Sequence, residues 1–338
     1  MIKLTQELAL QYRQLREEDG LSRRAACAEI GVAESTMRGW EKNGTYSEVL
    51  EGGEGEQPDT LNNPLYPTNA ALNTFKAKGK IDKLVEEPSK KMRIVVIADT
   101  QCKPTESLEY MTWIGKYIAD KKPDVVVHIG DHYDFPSLSS YDKGKKSFEG
   151  RRLKADIEAG NEGLALLMKE INSVERYNPR LVFCTGNHED RFDRISNDMP
   201  ELDGFVGTDT LPISSYGWEV YPFLKPAVIQ DIYFVHFLAN PFTGKPYGGS
   251  ALNQLKNVGK SFVVGHKQCL DVAIRPTLDG RHQIGIINGA CYPFDEGYKG
   301  HQGNNHFRGL SLLSEVEDGF GLPAFASLQY LKERYGKA

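Results

Sequence analysis

Residues 186–190, with the sequence GNHED, contain the side chains of this chain that are best suited to chemistry. They follow an apolar run at residues 181–183 that has the character of a buried strand. In α/β folds, polar residues at the carboxyl ends of strands form the functional sites. The carbonyl of Asn187 is a hard metal ligand, and His188 beside it can donate a proton to a departing oxygen. The segment therefore favours metal-assisted hydrolysis over the alternative, an Asx turn that only ends a strand.

The same arrangement, an apolar strand followed by residues that can bind metal, recurs at four other places in the chain. The strands are predicted at residues 93–98, 124–129, 232–235 and 261–264. The residues that follow these strands are Asp99 and Gln101, Asp131 and Asp134, His236, and His266 and Gln268. Because chemistry in layered α/β folds collects at the carboxyl ends of strands, we expect these side chains to converge on one site.

In order and in strand context, these motifs resemble those of the calcineurin-like metallophosphoesterases: D-x-H, G-D-x-x-D, G-N-H-E/D, a lone His and G-H-x-H. The resemblance extends from about residue 93 to residue 268 and continues more weakly towards the C-terminus. Gln101 stands where the family has the first His, and Gln268 stands where it has the last. The resemblance implies an α/β fold in which two sheets pack face to face and are flanked by helices, as an αββα sandwich.

The resemblance also implies a metal-dependent phosphoesterase in which a hydroxide between two metal ions attacks phosphorus in line. The ligands of one ion are all present: Asp131, Asn187, His236 and His266. The ligands of the other ion include both departures: Asp99, Gln101, Asp131 and Gln268. Amide oxygens suit hard ions, so we expect a weaker second position, and one or two divalent ions per chain, with Mn2+ favoured over Mg2+ or another transition metal. The alternative is loss of the second ion, which leaves a mononuclear enzyme or an inactive fold.

By the same resemblance, His188 protonates the leaving group, and Asp134 orients the imidazole of His188. Arg191 is close enough in sequence to bind the phosphate of the substrate. The alternative is a solvated arginine, or one that pairs with a neighbouring carboxylate. A long loop at residues 292–308 carries further candidates for substrate contact: His301, His306 and Arg308.

Residues 4–44 predict a compact module of three helices. Ser22 is expected to cap the second helix, and glycines at 20 and 31 provide the turns. The first helix is predicted to direct four side chains inward: Leu8, Leu10, Tyr12 and Leu15. The module resembles the helix-turn-helix units of repressors, transposases and small terminase subunits, whose second motif helix enters the major groove of DNA. By that analogy, the residues that face DNA are Glu34, Ser35, Thr36 and Arg38.

The charge of this module gives DNA binding little support, because its acidic and basic residues balance. Protein docking or oligomerisation is the alternative role. Along the whole chain we predict a helix-turn-helix module at residues 1–47, a flexible linker at 48–91 and a phosphoesterase domain at 92–338. The linker is indicated by the run EGGEGEQP at residues 51–58, and a short helix is expected near residues 69–85.

Composition sets further bounds on the class of protein. The chain has 338 residues and a formal net charge of -5, which argues against a broadly basic nucleic-acid binder but leaves room for a local basic patch. Five scattered cysteines indicate free thiols in a reducing cytosol. No apolar segment approaches the roughly 20 residues that span a bilayer. We therefore expect a cytoplasmic protein without membrane contact, whose oligomeric state the sequence leaves open.

A DNA-reading module joined to a phosphoesterase is most simply explained by delivery of the enzyme to DNA. We therefore favour nucleic acid as the substrate, hydrolysed by a nuclease or phosphodiesterase. The combination also looks like proteins encoded by phages or mobile elements. The alternatives are a phosphomonoesterase that acts on nucleotides or phosphoproteins, and a non-catalytic fold that binds DNA or protein.

Overall fold

The structure is a computed structural model that describes residues 5–42, 44–50, 91–140, 144–297, 299 and 303–336. The chain divides into two compact units, Met1–Glu86 and Glu87–Ala338. The linker predicted at residues 48–91 lies largely outside the described residues, and the helix predicted near 69–85 lies entirely outside them. The domain boundaries therefore stay a prediction.

The smaller unit contains four helices among its described residues: α1 (Gln6–Glu17), α2 (Arg23–Glu29), α3 (Glu34–Lys42) and α4 (Thr45–Leu50). The hydroxyl of Ser22 caps α2, since it accepts the backbone N–H of Ala25 at 3.2 Å. The helices enclose a small apolar core made of Tyr12, Ala26, Cys27, Val32 and Met37. The sequence pattern did not indicate α4, whose residues had been assigned to the module's end and the linker.

One side chain of α1 departs from its predicted position. Leu10 is 49% exposed, whereas Tyr12 is buried and Leu8 and Leu15 pack against the core. Successive helical residues are rotated by about 100°, so Leu10 lies on the opposite side of the helix from Leu8 and cannot share its face.

The larger unit contains two β-sheets. The first sheet has six strands in the order β11-β10-β1-β2-β3-β4. Its strands are β1 (Met92–Ile97), β2 (Val125–His128), β3 (Arg180–Cys184), β4 (Glu219–Tyr221), β10 (Gly309–Glu317) and β11 (Phe320–Ser327). The strands β1 to β4 are parallel, while β10 and β11 form an antiparallel hairpin at the edge next to β1.

The second sheet has five strands in the order β5-β6-β7-β9-β8. Its strands are β5 (Ala227–Ile229), β6 (Ile232–Val235), β7 (Ser261–Val264), β8 (Asp271–Pro276) and β9 (His282–Ile287). The strands β6, β7 and β9 are parallel, and β5 and β8 pair antiparallel at the two edges.

Five helices surround the sheets in the described part of the larger unit: α5 (Glu109–Lys121), α6 (Leu153–Asn172), α7 (Asn187–Asp198), α8 (Ala251–Val258) and α9 (Leu328–Tyr335). Short 3-10 turns lie at Pro136–Leu138, Lys146–Phe148, Pro200–Leu202, Thr208–Thr210 and Ser214–Tyr216. None of the described helices combines the length and the apolar character needed to cross a bilayer. All five cysteines are free thiols, as predicted.

The packing of β1 shows how the layers are built. Ile94 and Val96 point into an apolar cluster shared with the second sheet, whereas Val95 and Ile97 point into a cluster shared with α5 and α6. Alternate residues of a strand face opposite sides, so one apolar strand contributes to both layers. On the far side of the second sheet, α8 packs through Leu255 into a third cluster. The predicted αββα sandwich is confirmed.

Candidate metal centre

Both sheets direct the carboxyl ends of their parallel strands towards one edge of the sandwich. The residues predicted to bind metal follow these ends: Asp99 after β1, Asp131 after β2, Asn187 after β3, His236 after β6 and His266 after β7. Asn187 is also the first residue of α7. The two sheets therefore supply one shared set of side chains, which neither sheet could assemble alone.

Four of the predicted ligands form a tight cluster. Asp131, His236 and His266 each offer a ligand atom, and these atoms lie within 4.8 Å of one another. The carbonyl oxygen of Asn187 lies 2.8 Å from Nε2 of His236 and 2.9 Å from Nδ1 of His266. Nε2 of His236 lies 3.3 Å from Oδ2 of Asp131. The structure thus brings together all four residues that the sequence assigned to one ion.

The chemistry of this cluster fits a divalent ion. Nδ1 of His236 lies 2.9 Å from the backbone carbonyl of Ile129, which accepts its proton and so directs Nε2 at the cluster. Burial lowers the pKa of His236, but Asp131, Asp99 and the carbonyl of Ile129 together outweigh burial and raise the pKa to about 9, so this position favours positive charge. Burial, with His236, lowers the pKa of His266 to about 4, which leaves that imidazole neutral. One carboxylate, one amide oxygen and two imidazoles suit a transition-metal ion.

The residues predicted for the other ion are arranged differently. The two carboxylate oxygens of Asp99 accept the backbone N–H of His266 at 3.1 Å and the amide N–H of Gln268 at 3.3 Å. The carbonyl of Gln268 accepts the hydroxyl of Tyr292 at 2.8 Å and the ammonium of Lys299. Two donors thus occupy the carbonyl oxygen of Gln268 in this structure, and its predicted role as a metal ligand stays a prediction. Burial raises the pKa of Asp99 to about 6.

Gln101 remains available beside these residues. It is 1% exposed, and neither its amide nitrogen nor its amide oxygen makes a hydrogen bond within the described part of the chain. A buried polar atom without a hydrogen-bond partner destabilises the folded state, so we expect the amide of Gln101 to contact a bound ligand in the active enzyme.

Three members of the ligand cluster, Asp131, Asn187 and His266, line an open cleft with a volume of about 200 Å³. The predicted site residues that line it are Gln101, Asp131, Asn187, His188, His266 and Gln268. The other lining residues are Lys267, Lys299, Gly303 and His306. Of these, His306 had been suggested as a substrate contact, whereas Lys299 was missed, because a lysine in a glycine-rich loop has no sequence signal that separates it from a solvated one.

His188 has the surroundings of a proton donor. Its Nδ1 lies 3.0 Å from a carboxylate oxygen of Asp134 and 2.9 Å from the backbone carbonyl of the same residue. Its Nε2 lies 3.6 Å from Oδ2 of Asp131. Burial lowers the pKa of His188, but Asp131 and Asp134 together outweigh it, so the pKa is raised and the charged form is favoured.

Three residues that were predicted as candidate substrate contacts are not among the described residues that line the cleft: Arg191, Arg308 and His301. The guanidinium of Arg191 donates to the backbone carbonyl of Asp134 at 3.4 Å and does not line the cleft. Arg308 pairs with Asp295 and donates to the carbonyl of Phe294 at 2.7 Å, so it braces its own loop. His301 lies outside the described residues.

The smaller unit exposes three of the four residues that were predicted to face DNA, and the fourth, Glu34, is half-buried. Ser35, Thr36 and Arg38 are exposed on α3, while Met37 is buried in the core of the unit. Arg38 forms an ion pair with Glu34 at 2.9 Å, one helical turn away. Trp40 packs against the core.

Comparison with known proteins agrees with this geometry. Residues 92–308 match the family described as calcineurin-like phosphoesterase, and this range contains every residue of the cluster and the cleft. The chain belongs to the calcineurin-like phosphoesterase family. It is therefore a metal-dependent hydrolase that acts on phosphoester bonds.

Phage proteins are among the relatives of this phosphoesterase. It is 30% identical over 216 residues to the Gene 54 protein of Mycobacterium phage D29, a match that covers 62% of this chain and 74% of that protein. It is 32% identical over 180 residues to the Gene 54 protein of Mycobacterium phage L5, which covers 52% of this chain and 68% of that protein.

Glu189, for which the sequence predicted no role, lies at the centre of the phosphoesterase site. This buried carboxylate accepts four backbone N–H groups at 2.7 to 2.9 Å: those of Asp131, His132, Tyr133 and Gly186. These bonds tie the turn after β2 to the start of α7. The only feature of the sequence that points to this role is the position of Glu189 within the motif at residues 186–190. A glutamate at position N3 of a helix ordinarily indicates only a capping residue.

The phosphoesterase site also concentrates unusual backbone conformations. Five of the seven predicted metal ligands have φ between 45° and 64°: Asp99, Gln101, Asp131, His266 and Gln268. Residues other than glycine rarely adopt this left-handed conformation, and its cost is tolerated mainly at functional sites. The turns that direct these side chains into the site therefore carry a conformational free-energy cost that residues in an extended backbone would not have.

Two glycines allow the closest approach in the phosphoesterase site. A Cβ atom at Gly186 would lie 2.2 Å from Oδ1 of Asp131, and one at Gly130 would lie 2.4 Å from the backbone nitrogen of Gly186. The glycine before Asp131 and the glycine before Asn187 thus pack against each other. This contact gives a physical reason for the glycine in each of the two motifs.

We expect Glu189→Gln to destabilise the fold by about 2–5 kcal/mol, because an amide NH2 would face two of the four buried N–H donors in either orientation. Urea unfolding of the full chain in chelator measures this change. Glu158→Gln is the matched control, since Glu158 is an exposed partner of Lys154 at 3.7 Å and its loss should cost less than about 1 kcal/mol. Equal stability of the two variants would contradict the role of Glu189.

Proposed function

We propose that this phosphoesterase hydrolyses phosphodiester bonds in nucleic acid, with DNA as the favoured substrate and Mn2+ as the favoured ion. The ion would be held by the cluster described above: Asp131, Asn187, His236 and His266. A divalent ion at this position supplies Lewis-acid stabilisation of the phosphoryl group and a nucleophile at neutral pH. The observation that carries the proposal is the convergence of these four ligands next to the paired His188, with Asp131, Asn187, His188 and His266 lining one cleft.

His188 would act as the general acid. Its Nδ1–H is held by Asp134, which leaves Nε2 to carry the second proton next to Asp131. Donation of that proton to the leaving oxygen avoids release of an unstable alkoxide, which is the difficult step for a sugar hydroxyl. Asp134 is the positioning residue, since it fixes both the orientation and the charge of the imidazole.

Several features favour a nucleic-acid substrate. The cleft is open, and Lys267 and Lys299 line it, so it can admit an anionic chain that continues on both sides of the scissile bond. Arg191 lies beside Asp134 and is proposed to bind the substrate's phosphate after a side-chain rearrangement. On the smaller unit, the exposed Ser35, Thr36 and Arg38 of α3 are proposed to contact DNA.

The size of the cleft supports a second candidate function. A volume of about 200 Å³ matches a small phosphate ester better than a base-paired duplex. The alternative is therefore a phosphomonoesterase that acts on nucleotides or phosphoproteins. It would prefer p-nitrophenyl phosphate to diester substrates.

The substrate class can be tested by hydrolysis of labelled single- and double-stranded DNA, bis-p-nitrophenyl phosphate and p-nitrophenyl phosphate, with Mn2+, Mg2+ or EDTA. We expect Mn2+-supported cleavage of DNA and of the diester, and complete loss of turnover in EDTA or in Asp131→Ala, because Asp131 is central to the cluster. Faster turnover of the monoester than of any diester would favour the second candidate function.

The acid role of His188 predicts a dependence on the leaving group. Loss of a general acid costs roughly 10²- to 10⁴-fold for a poor leaving group, but little for p-nitrophenolate, which leaves without protonation. We therefore expect His188→Ala to slow cleavage of DNA far more than cleavage of bis-p-nitrophenyl phosphate. His282→Ala serves as the control, since His282 is an exposed residue of β9. Equal losses on both substrates would show that His188 has another role.

The proposed DNA contact of α3 predicts a salt-dependent effect of one arginine. Arg38→Ala should weaken binding to duplex DNA and reduce the slope of log K against log salt by about 1, as expected for one lost phosphate contact. Fluorescence anisotropy over a series of NaCl concentrations measures both. Arg13→Ala is a closely matched control, because Arg13 and Arg38 are both exposed and each pairs with a glutamate one turn away at 2.9 Å. The same change in both variants would contradict a specific contact at α3.

A further inference from the structure

The two glutamines that depart from the family pattern line the same cleft as a lysine that the pattern does not contain. The ammonium of Lys299 donates to the carbonyl of Gln268 and, at 2.8 Å, to the hydroxyl of Tyr292. Lys299 also lines the cleft together with Gln101 and Asp131. A positive charge of the protein itself therefore stands on the side of the site where the family pattern places a second ion.

The chemistry of the lysine fixes the orientation of the Gln268 amide. An ammonium group can only donate hydrogen bonds, so the atom of Gln268 that faces Lys299 must be the carbonyl oxygen. The amide nitrogen then points at Asp99, which accepts it at 3.3 Å. The amide NH2 of Gln268 thus faces the carboxylate of Asp99, which a second metal ion would need as a ligand. The carbonyl oxygen of Gln268 faces Lys299 instead.

The remaining donor set does not fit a second ion. Asp99 already accepts an N–H group on each carboxylate oxygen, and the only coordinating atom of Gln268 is occupied. That leaves the amide oxygen of Gln101, the second lone pairs of the Asp99 oxygens and a share of Asp131, whose Oδ1 also accepts the backbone N–H of His188 at 2.9 Å. The two imidazoles of the family pattern are thus replaced by a single neutral amide oxygen, and the ammonium of Lys299 on Gln268 repels a second cation.

The loop that carries Lys299 is anchored on both sides of it. Glu296 forms a buried ion pair with Lys103 at 2.8 Å. Its backbone N–H and C=O bond the side chain of Asn304 at 2.8 and 3.0 Å. Residues before and after Lys299 are thereby tied to each other and to the sandwich, which holds the ammonium at the cleft.

We infer that this phosphoesterase works with a single divalent ion, and that the ammonium of Lys299 supplies the second positive charge of the site. Lys299 would be a catalytic residue that binds a nonbridging oxygen of the phosphoryl group, with the amide of Gln101 as a neutral contact beside it. A lysine suits this task because a phosphoryl oxygen needs a point charge rather than a fixed ligand geometry. The inference rests on the metal site proposed above.

The number of bound ions tests the inference without relying on turnover. After equilibrium dialysis against Mn2+, we expect one Mn2+ per wild-type chain by elemental analysis and the paramagnetic resonance spectrum of an isolated ion. The combined change Gln101→His, Gln268→His and Lys299→Ala restores the family ligands and removes the ammonium. It should bind two Mn2+ per chain and give the spectrum of a coupled pair.

Turnover provides the second readout. Lys299→Met should keep one Mn2+ per chain while kcat for bis-p-nitrophenyl phosphate falls about 100-fold, the usual cost of removing one charge-stabilising donor. Lys267→Met is the matched control for metal content, because Lys267 lines the same cleft but its ammonium donates to the backbone carbonyl of Gly249 at 2.5 Å. It should also bind one Mn2+.

The outcomes separate this inference from the proposed function. Two Mn2+ in the wild-type chain, or an unchanged kcat in Lys299→Met, would overturn the role of Lys299 and leave metal-dependent hydrolysis standing. Absence of bound Mn2+ from the wild type and from every variant would instead overturn the proposed metal site itself.

Discussion

The carboxylate of Glu189 holds the parts of the site in register. Each of its two oxygens accepts two backbone N–H groups. Of these four groups, three belong to the turn after β2 and one belongs to Gly186. A buried carboxylate is costly unless it is fully hydrogen-bonded, and here the donors come from two separate segments of the chain. The charge can be satisfied only when those segments meet. Their meeting places Asp131 next to the start of α7, and so next to Asn187 and His188.

The sandwich supports a group of conformations that would be unfavourable elsewhere. Asp99, Asp131 and His266 have left-handed backbones, and Asp99 and Asp131 are buried carboxylates in one small region. Turns of this kind persist because the strands before them are fixed by three apolar clusters, one between the sheets and one on each outer face. The rigid layers thus provide the stability, and the turns at their ends provide the chemistry.

The cleft has two walls of different origin. One is the metal cluster, which the strand ends supply. The other belongs to the loop anchored by the buried pair of Lys103 and Glu296, which brings Lys299 to Gln268. An amide suits the position of Gln268 because its NH2 group donates to Asp99 while its carbonyl oxygen accepts from the ammonium of Lys299. Gln268 and Lys299 are therefore understood best as one unit.

The sequence by itself determined the sandwich, the family and the order of the polar strand ends, because apolar runs and the motifs after them are local features. It also identified the residues of the metal cluster that the structure brings together. It could not determine that Glu189 joins two segments, or that Leu10 faces outward while its neighbours pack, since these depend on contacts and helical rotation. The role of Gln268 was decided only by the tertiary structure. The carbonyl oxygen of an amide can bind either a metal ion or the ammonium of a lysine. Which of the two Gln268 binds depends on the loop that brings Lys299 to it from 31 residues further along the chain.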